Sequence, residues 1–175
     1  MKINKKHGIS FFITGFSGSG KSEIGKLIKK DIEKKYGKTV LIHGDQLRDI
    51  FKLRGYKKDY RAKLGRSYSD LCKLITRQGV NVIFTTIGLI HDFQKYNRSN
   101  LKNYLEIFIK SNIKTLIKNK KKKFYREKTN FVWGIDMKPE FPKNPDIILN
   151  NNFKNSLKKM SLDLLKKIDL KINNI

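Results

Sequence analysis

The stretch Ile9-Ser10-Phe11-Phe12-Ile13-Thr14-Gly15-Phe16-Ser17-Gly18-Ser19-Gly20-Lys21-Ser22 decides how this chain folds. Its first six residues are an apolar run of strand character. A glycine-rich turn follows, and then Ile24, Leu27, Ile28 and Ile32 recur at helical spacing up to Gly37. Residues Gly15 to Ser22 fit the P-loop pattern, set between strand and helix as its mechanism requires. Gly15, Gly18 and Gly20 let the backbone wrap phosphates. Together with Ser17 and Ser19 they aim successive N–H groups inward at the positive end of a helix. Lys21 is expected to reach the β and γ oxygens of a bound nucleotide, and the Ser22 hydroxyl to ligate Mg²⁺. ATP or GTP with Mg²⁺ is therefore the expected ligand.

Outward from this stretch, apolar runs alternate with helical patterns. Thr39–His43 reads as a second strand, Gln46–Phe51 as a short helix, and Tyr60–Gln78 as a helix carrying Leu64, Tyr68, Leu71, Cys72 and Ile75 on one face. Val80–Thr85, Tyr104–Ile109 and Asp146–Leu149 read as three more strands. A closing amphipathic helix over about 155–168 turns Leu157, Met160, Leu164 and Leu165 inward. Strands of near-continuous β-branched and aromatic residues separated by helices imply a sheet buried on both faces. The expected fold is α/β, a P-loop NTPase with a doubly wound, mainly parallel five-stranded sheet, helices on both faces and a basic lid. The lid falls in the polar, weakly periodic segment from about 118 to 145, within one domain spanning 1–175.

The chain has 175 residues, and 40 Lys plus Arg against 15 Asp plus Glu leave a net charge of +25. Such a charge suggests nucleic acid. Yet 33 of those cations are Lys and 7 are Arg, beside 22 Ile and 15 Asn, the pattern of AT-rich codon usage. Most of the charge therefore reads as solvated surface, and no basic stripe interleaved with aromatics marks a specific nucleic-acid partner. No apolar run is long enough to span a membrane, and the Lys-rich start lacks a secretory pattern, so the expected compartment is the cytoplasm. The lone Cys72 sits among apolar neighbours and reads as a core residue.

Strand ends line the ligand crevice of an open α/β sheet. The second strand, expected to lie next to the one bearing the P-loop, ends in His43-Gly44-Asp45-Gln46-Leu47-Arg48. Asp45 there can accept a proton from an acceptor hydroxyl and hold Mg²⁺ through water, or it can cap the following helix. Arg48 can grip an acceptor phosphate.

From about Ile9 to Leu149 these residues resemble the adenylylsulfate kinase family. The P-loop looks like that family's version, and Gly44–Arg48 matches the later part of its Asp-Gly-Asp-Asn-x-Arg segment. Gly55-Tyr56 stands where the family has Gly-Phe. Arg61 and Arg66 occupy two arginines of its substrate helix. Gly134-Ile135-Asp136, followed by Pro139, Pro142, Asn144, Pro145 and Asp146, is similar to its closing segment. The resemblance implies ATP and Mg²⁺, with Asp45 and Lys21 catalytic. It also implies an acceptor site of Arg48, Tyr56, Arg61, Arg66, Ile87 and Phe131, lid cations among Lys121, Lys122, Lys123 and Arg126, a small nucleotide substrate and a homodimer. Tyr56 and Phe131 would sandwich the acceptor base, with core packing as the alternative.

The departures cluster. His43 replaces the first Asp of Asp-Gly-Asp, and Lys63-Leu64 stand for Glu-Asn. Ile87-Gly88-Leu89-Ile90-His91 lacks the Ser, Pro and Arg of Ile-Ser-Pro-x-Arg, and Asn130–Gly134 replaces Phe-Thr-Gly. Groups serving ATP and transfer are kept, whereas groups serving the acceptor are partly replaced. The acceptor the family points to first is adenylylsulfate, phosphorylated at its 3′-hydroxyl. The alternatives are a related activated nucleotide such as cytidine diphosphoramidate, used in surface-polysaccharide modification, and a nucleotide-binding protein with decayed catalysis.

Overall fold

The computed structural model describes residues 3–118 and 130–173. The chain runs β1 (Ser10–Gly15), α1 (Lys21–Tyr36), β2 (Thr39–His43), α2 (Gly44–Ile50), α3 (Lys58–Thr76), β3 (Asn81–Thr85), α4 (His91–Asn100), β4 (Tyr104–Ser111), α5 (Ile113–Lys118), β5 (Ile147–Asn151) and α6 (Leu157–Asn173). All five strands pair in parallel in the order β2-β3-β1-β4-β5. The P-loop strand is thus central, and its six residues are all buried. One expectation is corrected here. β3 lies between β1 and β2, so the strand that delivers Asp45 is not next to the one that delivers the P-loop. Both crossovers are long enough to reach either position, and only the paired sheet chooses between them.

Side-chain alternation splits the core into two layers. Phe11 and Ile13 point to the face covered by α1 and α6, where Ile24, Ile28, Ile32, Met160, Leu164 and Ile168 are buried. Phe12 and Phe84 stack with ring centres 4.9 Å apart on the opposite face, under Tyr68 and Cys72 of α3 and Phe93 of α4. The Cys72 thiol is pushed up by burial and packs as a small apolar group.

Helices α4 and α5 are additions to the elements read from the sequence. His91–Asn100 offers only Phe93 and Tyr96 as large apolar residues. Its inward face is Phe93 with the polar Gln94 and Asn97, so no apolar stripe announces it. Asn97 instead joins a polar network, accepting from Ser69 Oγ and donating to Tyr104 Oη at 3.2 Å. Tyr104 in turn donates to the buried Glu106, which meets Arg98 at 2.8 Å. Paired in this way, Glu106 is tolerated inside the sheet. Among the described residues, no helix is long and apolar enough to cross a membrane.

Candidate active site

The loop after β1 is shaped by its backbone. Gly15 has φ +142°, and a Cβ there would lie 2.5 Å from the Ile109 carbonyl oxygen, so no larger residue fits. Its N–H donates to Ile87 O at 3.1 Å, tying the loop to the segment that follows β3. Lys21, on the first turn of α1, is buried, and its Nζ donates to Phe16 O at 2.6 Å across the loop. Ser22 follows on the same turn. The Ser19 Oγ is buried and makes no hydrogen bond to a described residue, while the Ser19 carbonyl accepts from Asn151 Nδ2 at 3.0 Å. Asn151 stands at the C-terminal end of β5, and its Oδ1 accepts from Phe153 N at 2.9 Å. Sequence reading missed this brace, because 132 residues separate its two ends.

Beside the loop opens a cavity of about 390 Å³ whose lining brings together Ser17, Asp45, Arg48, Tyr56, Arg61, Ile87 and Phe131 from the predicted set. Asp45 is the second residue of α2 and is exposed. The helix is preceded by His43 at its N-cap, so Asp45 does not cap it. The floor is the segment Thr86–Ile90, which turns at Gly88 with φ +58°. A Cβ at Gly88 would lie 2.8 Å from Thr14 Cγ2, so the Ser found there in the resembling family would strain this turn.

One wall of the cavity is aromatic and cationic. The Arg48 guanidinium lies 4.6 Å from the Tyr56 ring centre and donates to Gly55 O. Arg61 lies 5.4 Å from Tyr56 and 5.5 Å from Trp133, donating to Tyr56 O at 2.8 Å and to Phe131 O at 2.7 Å. Burial, with Arg48 close by, lowers the basicity of Arg61. The next wall is a turn, in which the Asp136 carboxylate accepts from the N–H groups of Phe131 and Val132 and sets Phe131 at φ +64°. Tyr68, its hydroxyl pushed up to about 12 by burial, donates to Gly44 O at 3.2 Å beneath Asp45.

His43 and Arg66 stand apart from this wall. His43 is buried, with Nδ1 2.7 Å from Thr85 Oγ1, and burial holds its imidazole below the ordinary range. Arg66 is not among the residues that line the cavity: its guanidinium is paired with Asp92 at 2.5 Å and lies over Tyr96 on the outer side of α3. The helical period explains this: five residues after Arg61, position 66 is turned by more than a quarter of a circle. Lys121, Lys122, Lys123 and Arg126 lie outside the described residues. The sequence reading missed Arg54 as a lining residue; Leu64, which stands for the Asn of the resembling family, and Trp133 line the cavity as well.

Among the described residues, no group of three or more His, Cys, Asp or Glu side chains could hold a metal. The donors present are the Ser22 hydroxyl and the Asp45 carboxylate. That set suits Mg²⁺, which keeps waters and substrate phosphates as most of its ligands.

A phosphate loop at the end of a central parallel strand, opening on a cavity with a carboxylate and fixed guanidinium groups, defines a P-loop phosphotransferase of the small-molecule kinase class. Residues 7–150 match the family model of adenylylsulphate kinase, and the chain belongs to that family, whose members transfer phosphate to a hydroxyl group. The cytidine diphosphoramidate kinase of Campylobacter jejuni is 31% identical over 170 residues, covering 95% of this chain and 99% of that protein. The adenylyl-sulfate kinase of Clostridium acetobutylicum is 31% identical over 153 residues, covering 83% and 76%. In fold, the chain is similar to the Mycobacterium tuberculosis APS kinase in complex with AMPPNP and APS. The TM-score is 0.82 at 23% identity, covering 93% of this chain and 98% of that one.

Proposed function

We propose that the chain is an ATP-dependent kinase that phosphorylates a ribose hydroxyl of a nucleotide-activated small molecule, with a cytidine diphosphate derivative of the phosphoramidate type as acceptor. One observation carries the reading of transfer: Ser17 of the phosphate loop and Asp45 line the same cavity as Arg48, Tyr56 and Arg61. The donor phosphates and an acceptor hydroxyl can therefore meet in one crevice. In such a transfer the charge spreads over the γ-phosphoryl oxygens, so positioned cations and N–H groups do most of the work. Lys21 and the loop amides hold the phosphate chain, and the Asp45 carboxylate takes the proton of the attacking hydroxyl. Mg²⁺, held by Ser22 and through water by Asp45, neutralises phosphate charge when bound.

The cytidine acceptor is favoured by where the chain departs from the adenylylsulfate pattern. Leu64 and Gly88, two of the replaced positions, both line the cavity, and the match to the Campylobacter jejuni enzyme runs through nearly the whole of both chains. Adenylylsulfate is the second reading, favoured by the retained segment from Gly134 to Asp146 and by the family match.

The test is incubation with Mg-ATP and, separately, cytidine diphosphoramidate and adenylylsulfate, followed by mass spectrometry. One added phosphoryl group on the cytidine compound, at a higher kcat/KM than on adenylylsulfate, is expected. The reverse preference would select the second reading. Mg-ATP binding without transfer to either compound would mark a nucleotide-binding protein that has lost catalysis.

A further inference from the structure

Three guanidinium groups surround the acceptor end of the cavity: Arg48, Arg54 and Arg61. The chain has 33 Lys and 7 Arg, yet no lysine is among the described residues that line this cavity. At this one place the surface bias towards lysine is reversed. Arginine differs from lysine in offering a rigid, planar fork of donors that matches phosphate or sulfate oxygens two at a time. A wall whose described cations are all arginines is therefore built for geometry as well as charge.

The three are not equivalent. Arg48 is committed to Gly55 O and to the face of Tyr56. Arg61 donates from Nε to Tyr56 O and from Nη2 to Phe131 O and lies over the Tyr56 and Trp133 rings. Both therefore fix the aromatic wall. Arg54 makes no hydrogen bond to any described residue. Among the described residues its ion pair is with Asp49 at 4.0 Å, and both side chains are mostly exposed, at 72% and 79%. An exposed ion pair at that distance holds little and yields readily to a better partner. The loop that presents Arg54 is nonetheless fixed, because the next residue, Gly55, receives the Arg48 bond and Tyr56 receives the Arg61 bond.

We infer that Arg54 is a specificity-determining residue that binds the terminal anionic group of the acceptor, the phosphate or sulfate beyond the one attached to the ribose, while Arg48 and Arg61 position the wall. This deepens the reading of the cavity as an acceptor site and rests on it. Arg54 is not part of the resemblance to the adenylylsulfate kinases, and only its place on the cavity wall singles it out.

The test uses the full chain and two ligand pairs that differ by the terminal group: CDP against CMP, and adenylylsulfate against AMP. Isothermal titration of the unaltered chain, Arg54→Ala and Arg54→Lys gives the affinities. Arg54→Ala is expected to weaken the member with the terminal group about tenfold, and its shorter partner by no more than about twofold. Arg54→Lys keeps the charge without the fork and should fall between the two. Equal losses within a pair, no loss at all, or a lysine variant equal to the unaltered chain would overturn the inference. The preference of the unaltered chain between cytidine and adenosine ligands tests the acceptor reading separately. If adenosine wins, the cytidine reading fails and the contrast between adenylylsulfate and AMP still judges Arg54. Binding of none of the four would overturn both.

Discussion

At the phosphate end of the crevice the working groups are backbone amides held by Gly15, Gly18 and Gly20, all with positive φ, inside one stretch of eight residues. At the end proposed for the acceptor the lining groups are side chains from three separate stretches: Arg48, Arg54 and Tyr56, then Arg61 and Leu64, and finally Phe131 and Trp133. A site made of backbone is specified by the few residues that permit its conformation, and almost any change breaks it. A site made of side chains can be altered one residue at a time while the sheet beneath stays the same. This chain keeps every P-loop residue and has replaced several that face the acceptor. The phosphate end therefore speaks for the reaction class, and the acceptor end for the substrate.

Lys21→Ala tests the first half of that contrast most severely. It removes the loop's cation and its brace to Phe16 O, and a loss of transfer of about 10³-fold together with weakened Mg-ATP binding is expected in steady-state kinetics and titration. Undiminished turnover would refute the role of the loop. Asp45→Asn should cost about 10²-fold in kcat while the Mg-ATP dissociation constant stays within about twofold. A parallel loss of Mg-ATP affinity would assign Asp45 to the phosphate end instead.

Arg61→Ala sharpens the second half. It frees the Tyr56 and Phe131 carbonyls and unpins the Tyr56 and Trp133 rings, so the acceptor KM should rise about tenfold with the ATP KM unchanged. Asn151→Ala should do the opposite, raising the ATP KM about fivefold and leaving the acceptor KM alone, since its amide braces Ser19 O and Phe153 N, neither of which lines the cavity. If either variant moved both constants equally, the two ends could not be treated as independent.

The smallest effect concerns His43. Burial, reinforced by Lys26, holds its imidazole below the ordinary value of 6.5, so the folded chain resists a proton that the unfolded chain accepts. Stability should therefore fall as pH drops through about 6.5, and continue to fall until the lower folded value is passed. His43→Gln should flatten that part of a plot of melting temperature against pH.

The elements that bury a continuous apolar face were legible from sequence: the P-loop strand, α1 with its Ile24, Ile28 and Ile32 stripe, and α6 with Met160 and Leu164. The period of apolar residues carries that information directly. Helix α4 was not legible, because Gln94 and Asn97 face inward and are satisfied by partners far along the chain, such as the Glu140 carbonyl and Ser69. Nor was the fate of Arg66. Its charge type suggested an anion, and only the packing of α3 against α4 shows that Asp92 takes it.

The sequence by itself determined the phosphate loop and the parallel α/β character, because each depends on short-range pattern: three glycines and a lysine between a strand and a helix, and apolar runs alternating with helical periods; the kinase class came with the family resemblance carried by Gly44–Arg48 and Gly134–Asp146. Only the tertiary structure decided the sheet order that puts β3 between the P-loop strand and the strand ending at Asp45. The same is true of the arginines that reach the cavity and of the Asn151 brace. These depend on contacts between residues far apart in the chain. Residue type and spacing say nothing of which distant segment will be the neighbour until the apolar faces have been buried and the strands paired.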